Sequence, residues 1–339
     1  MRNITLGSTG ITIPQNAFGA LPIQHDSVET AVSLVRRAYA GGMRFFDTAR
    51  AYSDSEEKLG IAFEGMERGS YYLASKTGAV TPDEFRDHLE TSLRLLKTDY
   101  LDIYQFHCAN QCYRPGDGTG MYECMLEAKR QGKIRHIGIT AHKLGVAVEA
   151  VESGLYETLQ FPFSYLSGAQ EQELVALCRK NNVGFIAMKA LAGGLITNPD
   201  AAMDFIARYD NVLPIWGIQR QSELEAWLSF MTREPVVDEA FLERERAELA
   251  GDFCRGCGYC MPCPAGIQIN QCARISQMVR RAPSNVWLNE YWQAEMQKVN
   301  GCVSCGSCAE KCPYELKPYL LLRKNYEDYQ RILRGETVI

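Results

Sequence analysis

Four side chains and two cysteine runs give this sequence its chemistry. Asp47 closes an apolar run, and Tyr52 follows it in the polar end of the stretch FFDTARAYSDSE. Lys76 ends YYLASK and His107 ends YLDIYQFH, so three successive apolar runs each terminate in an ionisable side chain. A tyrosine with its ordinary pKa of about 10 is a poor acid at neutral pH. A neighbouring ammonium is expected to stabilise the phenolate and lower that pKa, while a carboxylate holds the ammonium in place. A histidine beside the phenol hydrogen-bonds a substrate oxygen and orients it. Together, Asp47, Tyr52, Lys76 and His107 suit the protonation of an oxygen that becomes negative when hydride reduces a carbonyl.

Thirteen cysteines are unevenly placed. Cys108, Cys112, Cys124 and Cys178 are scattered; the first two stand in a loop beside His107, and the others at helical positions expected to be buried. The remaining nine lie from Cys254 to Cys312, a cluster that in a reducing cytosol reads as metal binding rather than disulfides. Cys254, Cys257, Cys260 and Cys263 form C-x₂-C-x₂-C-x₂-C-P, and Cys302, Cys305, Cys308 and Cys312 form C-x₂-C-x₂-C-x₃-C-P. The second spacing matches the bacterial ferredoxin run, whose fourth cysteine serves the other cluster. Two runs therefore imply two [4Fe–4S] clusters. By that analogy Cys254, Cys257, Cys260 and Cys312 hold one, and Cys302, Cys305, Cys308 and Cys263 hold the other. The first run is one residue short before Cys263. Structural zinc on four thiolates is the alternative reading. Cys272 lies outside both runs and reads as a packed thiol.

The elements that must position these groups follow from the pattern. Residues 3–13 read as a hairpin around a Ser-Thr-Gly turn. Strand-like and helix-like segments then alternate: strands near 17–21, 44–47, 71–75, 101–106, 134–139, 158–161, 185–188 and 212–216, each followed by a helical segment. Eight such units predict a closed (β/α)₈ barrel, an α/β fold whose strand ends form one mouth. A doubly wound open sheet is the alternative, but G-x-G-x-x-G after the first strand is absent. The break in composition near Gly251 marks a boundary, so residues 1–250 are expected to form the barrel and 251–339 a small α-helical ferredoxin-like domain.

The chain has 339 residues, 23 % of them charged and 46 % hydrophobic, with a net charge of −5, which argues against a general nucleic-acid binder. No uncharged run reaches the length of a membrane span and no apolar leader is visible at the start, so a cytoplasmic protein is expected.

The segment DTARAYSDSEEKLG, from Asp47 to Gly60, resembles the aldo/keto reductase pattern D-T-A-x-x-Y-G-x-S-E-x-x-L-G. Lys76 in ASKTG and His107 in YQFHCAN fall where that family places its lysine and histidine, and LGSTGITI resembles its barrel-floor hairpin. The resemblance covers roughly residues 3–230 and implies a catalytic tetrad of Asp47, Tyr52, Lys76 and His107, with Tyr52 the proton donor. It also implies NAD(P)H as cofactor. Thr140 and Gln160 would contact the nicotinamide amide, Met188 and Lys189 stand where many members stack an aromatic, and Gly217 and Arg220 lie in the phosphate loop. The departures are Ser53 for glycine, Ala141 for an asparagine, and Ala226–Trp227 for a Glu-Asn pair. Barrel and cysteine tail together resemble the ferredoxin-domain branch of the family.

Three functions follow. In the first, the chain reduces a small carbonyl-type substrate with NAD(P)H. In the second, the clusters take single electrons from a ferredoxin or other one-electron donor and feed the barrel site without NAD(P)H. In the third, the barrel is a non-catalytic binding module and the clusters are structural.

Overall fold

The structure, a computed structural model, describes residues 1–281 and 284–337. The chain divides into two compact units, one of residues 1–190 and 198–236, the other of residues 191–197 and 237–339.

In the first unit, β1 (Asn3–Thr5) and β2 (Thr12–Pro14) form an antiparallel hairpin with Ile4 opposite Ile13. The barrel strands follow as β3 (Ala17–Gly19), β4 (Phe45–Asp47), β5 (Tyr72–Thr77), β6 (Leu101–Phe106), β7 (Ile134–Thr140), β8 (Thr158–Pro162), β9 (Gly184–Met188) and β10 (Val212–Gly217). All eight pair in parallel with their sequence neighbours, and β10 closes on β3 through Gly217 and Gly19. That closure makes the barrel and rules out the open sheet. The hairpin residues Ile4, Leu6, Ile11 and Ile13 pack with Phe45, Ala74, Ile103, Ile186, Leu213 and Ile215, so the interior is filled by side chains rather than left as a pore.

The helices α1 (Val28–Ala40), α2 (Ser55–Ala62), α3 (Pro82–Leu95), α4 (Met121–Arg130), α5 (Leu144–Glu152), α6 (Ala169–Lys180), α7 (Pro199–Ala207) and α8 (Gln221–Ser229) alternate with the strands. Their starts are chemically marked. Ser27 accepts from Thr30 N ahead of α1, and Thr81 accepts from Glu84 N ahead of α3, where Pro82 occupies the first turn. Helix α1 buries one stripe, Ala31, Leu34, Val35 and Ala38.

The second unit contains α9 (Glu239–Leu249), α10 (Ile269–Cys272), α11 (Ile275–Arg281), α12 (Ser284–Trp287), α13 (Glu290–Gln297), α14 (Ser307–Glu310) and α15 (Pro318–Leu333). Its core includes Ile267, Ile269, Cys272, Ile275, Val279, Met296, Leu321, Leu322 and Tyr329, so Cys272 is the packed thiol expected of it. The sequence reading leaves α9 unassigned: Leu242 is its one buried residue, so no apolar stripe announces it. Trp287 and Trp292 pack against this core, whereas Tyr291 is exposed. Among the described residues no helix is long and apolar enough to cross a membrane.

Gly60 of α2 shows how closely the elements approach. A Cβ there would lie 2.1 Å from the backbone oxygen of Leu95, at the end of α3. Gly60→Ala is therefore expected to force the two helices apart and lower stability by about 1–3 kcal/mol, read as a fall in the midpoint of thermal unfolding.

Candidate active site

Parallel strands bring Asp47, Lys76, His107, Thr140, Gln160, Met188 and Gly217 towards one rim, because each lies at or near the C-terminal end of its strand. Lys76 Nζ donates to Asp47 Oδ1 at 2.5 Å and to the Thr48 carbonyl at 2.6 Å, and both ionic side chains are fully buried. The same ammonium stands 5.0 Å from the centroid of the Tyr52 ring. The Tyr52 and His107 rings meet edge-on at 5.6 Å. The sequence-predicted quartet is thus one contiguous cluster.

Backbone bonds hold the quartet in register. Thr48 N donates to Ala74 O at 2.8 Å, Arg50 N to Lys76 O at 3.0 Å, and His107 N to Thr77 O at 2.8 Å. Tyr52 sits in a tight turn, with its N–H on Ala49 O and its carbonyl accepting from Ser55 N. Ser53, standing where the family pattern has glycine, has φ +37°, the left-handed region that favours glycine, and its hydroxyl is bonded to Gln24 Oε1 at 2.9 Å. Behind the loop, buried Glu56 pairs with Arg50 and accepts from Ser75 Oγ at 2.6 Å.

The electrostatics correct one expectation. Burial pushes the Tyr52 phenol well above its ordinary value, and the charges of Asp47 and Cys108 add to that push. The Lys76 ammonium does not reverse it; it is bonded to Asp47 and Thr48 and stands over the ring. Burial likewise raises the Asp47 carboxyl, opposed by Lys76. His107 is pushed down to about 3 by burial and by the Lys76 charge. The resting site thus holds a neutral phenol and a neutral imidazole around one buried ion pair.

The sequence reading passes over Gln105. Its Nε2 donates to Gln160 Oε1 at 3.1 Å and reaches Asp47 Oδ2 at 3.5 Å, so it links the ion pair to Gln160. A Cβ on Gly138 of β7 would lie 2.8 Å from Gln105 Cγ, so only glycine leaves room for this side chain. The signal was available: Gln105 is polar within a buried strand, and strand alternation puts it on the same face as His107.

The expected nucleotide contacts fare differently. Gln160 is buried beside Asp47 and Gln105. Thr140 is buried, and its Oγ1 accepts from Cys108 N at 2.7 Å, pinning the turn after His107. Met188 packs against the interior cluster, and Lys189 beyond it has φ +54°. Gly217 lies beside the Pro22 ring, 3.2 Å from where a Cβ would be. Arg220 is exposed just ahead of α8, and the amides of Gln219 and Arg220 donate to Glu223 Oε2 at 2.9 and 3.1 Å. Among the scattered cysteines Cys108 is exposed and Cys112, Cys124 and Cys178 are buried.

In the second unit the two cysteine runs interleave. Burial raises Cys257, and Cys254 and Cys312 are the thiols whose charges add to it. Cys260 is pushed up to about 12 by burial, with Cys254 and Cys257 its nearest thiol contributors and Cys308 a weaker one. A small cavity is lined by Cys260, Cys263, Cys302, Cys305 and Cys308. Cys312 thus acts on a thiol of the first run, and Cys263 shares a cavity with thiols of both runs. Among the described residues no group of three His, Cys, Asp or Glu side chains is placed to hold a single metal ion. Thiols framing a cavity suit iron–sulfur clusters, whose ligands are cysteine thiolates.

Comparison with known proteins agrees with this geometry. The model described as Aldo/keto reductase family matches residues 15–212, and the model described as 4Fe-4S dicluster domain matches residues 253–317. The NADH-specific methylglyoxal reductase of Escherichia coli (strain K12) is 26 % identical over 66 % of this chain and 77 % of its own. A methylglyoxal reductase of Salmonella typhi is 31 % identical over 60 % of this chain and 76 % of its own. The crystal structure of an aldo-keto reductase from Klebsiella pneumoniae in complex with NADPH superposes with a TM-score of 0.62, at 22 % identity, over 72 % of this chain and 95 % of that one, and supports the fold alone. With the first match spanning more than half of its residues, this chain belongs to the aldo/keto reductase family, is an oxidoreductase, and carries a 4Fe-4S dicluster domain in its C-terminal part.

Proposed function

We propose that the barrel reduces a small aldehyde or ketone to the alcohol, with Tyr52 as the proton donor and NAD(P)H as the hydride source. Residues 1–250 would carry this chemistry and residues 251–339 two [4Fe–4S] clusters. The observation that supports it most directly is the placement of the Tyr52 ring between the Lys76 ammonium, 5.0 Å from its centroid, and the edge of His107, 5.6 Å away. Relatives named as methylglyoxal reductases favour a short carbonyl compound as substrate.

When bound, the reduced nicotinamide supplies a hydride to the carbonyl carbon. The phenol of Tyr52 gives its proton to the carbonyl oxygen as that oxygen becomes an alkoxide. A raised pKa does not disable this step, because an alkoxide is a much stronger base than a phenolate and the acid is needed in its protonated form. Neutral His107, beside the phenol, is available to orient the substrate oxygen by a hydrogen bond. Lys76, fixed by Asp47, keeps a positive charge near the oxygen where negative charge grows. Asp47 in turn is held by Gln105 and Gln160.

A second reading is favoured by the dicluster domain itself. Clusters pass single electrons, and a ferredoxin or another one-electron donor would supply two of them, with two protons, to the same carbonyl. Cys254, Cys257, Cys260 and Cys312 would hold one cluster and Cys263, Cys302, Cys305 and Cys308 the other. Anaerobically purified protein is expected to contain about eight irons per chain. Bleaching of its cluster absorbance by a one-electron donor with turnover of methylglyoxal, and no turnover with NADH or NADPH, would favour this second reading.

Tyr52→Phe is expected to reduce carbonyl turnover by at least about a hundredfold while iron content and unfolding midpoint stay unchanged; retained turnover would exclude Tyr52 as the acid. His107 gives a pH signature. Its imidazole titrates at about 3 in the folded chain and at about 6.5 when unfolded. The unfolded chain takes up the proton first, so this group costs stability as pH falls from about 6.5 towards 3 and costs none above that window. Its ring C–H resonances, assigned with His107→Gln, should remain unshifted from about pH 8 down to about pH 4.

A further inference from the structure

The buried ion pair fixes more than its own geometry: it dictates which end of each neighbouring amide faces which way. Lys76 Nζ can only donate, and it donates to Asp47 Oδ1 and to the Thr48 carbonyl. The ionised Asp47 carboxylate can only accept. Gln105 of β6, in register with Lys76, reaches the other carboxylate oxygen, Oδ2, at 3.5 Å, so the end of its amide nearest Asp47 has to be the nitrogen. An oxygen there would stand against a carboxylate oxygen. The same nitrogen has a second hydrogen, and a second acceptor is in place for it: Gln160 Oε1, at 3.1 Å.

The surroundings hold this order in place. Gln105 is fully buried, and its own Oε1 has no hydrogen-bond partner. Burying an unpaired acceptor costs free energy, yet turning the amide over would set oxygen against oxygen at both Asp47 and Gln160. Gly138 of β7, in register with Gln105, leaves the room: a Cβ there would lie 2.8 Å from Gln105 Cγ. A donor–acceptor sequence thus runs from Lys76 through Asp47 and Gln105 to Gln160, and it ends with the Gln160 oxygen turned towards Gln105.

Gln160 lies towards the end of β8, in register with Thr140 of β7, on the rim where a barrel of this kind meets its ligands. With the amide oxygen turned inwards, a ligand at that rim meets the amide nitrogen. Ala141, after Thr140, brings no side-chain amide, and the Thr140 hydroxyl oxygen already accepts from Cys108 N at 2.7 Å. We propose that Gln105 is a positioning residue: it fixes the polarity of Gln160, so that Gln160 serves a bound ligand as a hydrogen-bond donor and selects a carbonyl oxygen. This rests on the nicotinamide hydride source proposed above. The oxygen selected is then that of the carboxamide, whose NH2 group receives no acceptor from Gln160.

Isothermal titration calorimetry on the anaerobic holoprotein reads this polarity without turnover. NADH and NADPH are each titrated beside two analogues. One has acetyl in place of the carboxamide, which keeps the carbonyl and loses the NH2; the other has a thiocarboxamide, whose sulfur is a poor acceptor. The acetyl analogue is expected to bind within about threefold of its parent, and the thio analogue at least about fivefold more weakly. Gln105→Met fills similar space without a donor, so Gln160 is free to turn and the parent-to-thio ratio should narrow several-fold. Gln105→Asn, one methylene short of both acceptors, should do the same. Because that ratio compares two ligands on one variant, a general loss of stability does not move it. An acetyl analogue at least about tenfold weaker than its parent, with the thio analogue unaffected, overturns the donor polarity. A ratio unchanged in both variants overturns the positioning by Gln105. If neither parent nucleotide binds the unaltered protein, the nicotinamide reading falls and this inference with it, whereas parent binding with the opposite order of analogues sinks the inference alone.

Discussion

A lysine and an aspartate with almost no solvent contact form the centre of the barrel, and much of the surrounding structure is what makes that pair tolerable. Burying two charges costs several kcal/mol per ion even after relaxation, and their mutual attraction offsets this only when the remaining donors and acceptors are satisfied. Lys76 meets the condition with the Asp47 carboxylate and the Thr48 carbonyl. Asp47 has Gln105 and Gln160 around its other oxygen. Gly138 is part of the same arrangement, since a side chain there would collide with Gln105. Strands β4, β5, β6, β7 and β8 thus contribute to one polar layer above an apolar interior.

The pair also sets the state of its neighbours. Burial, with the Lys76 charge adding to it, keeps His107 neutral. Tyr52 keeps its proton through burial, reinforced by the Asp47 charge. The resulting site keeps the Tyr52 phenol protonated and the Lys76 charge in a fixed place. Such preorganisation suits a reaction in which negative charge develops on one oxygen, because little has to reorient at that moment.

The loops differ from the strand ends in how completely they follow the family pattern. Ser53 occupies a left-handed position without the freedom of glycine, at a cost of roughly 1–2 kcal/mol offset in part by its bond to Gln24. Thr140 is a backbone pin for Cys108. Glu223 caps the helix that a phosphate would otherwise approach. These features leave the Asp47, Tyr52, Lys76 and His107 cluster intact and alter what surrounds it.

The alternation of strand and helix segments, the endings of three apolar runs in Asp47, Lys76 and His107, and the two cysteine spacings were all legible in the amino-acid sequence, because each depends on local periodicity or on residues close in the chain. The closed barrel follows from eight such units, since parallel strands must hide both faces. Gln105 was missed although its alternation pointed inward, and α9 because one buried leucine makes no stripe. The direction of the Tyr52 shift was misjudged, since it depends first on how deeply the phenol is buried. Only the tertiary structure decided these points, together with the bond from Gln105 to Gln160. Burial and the partners of residues far apart in sequence exist only once the chain has closed on itself.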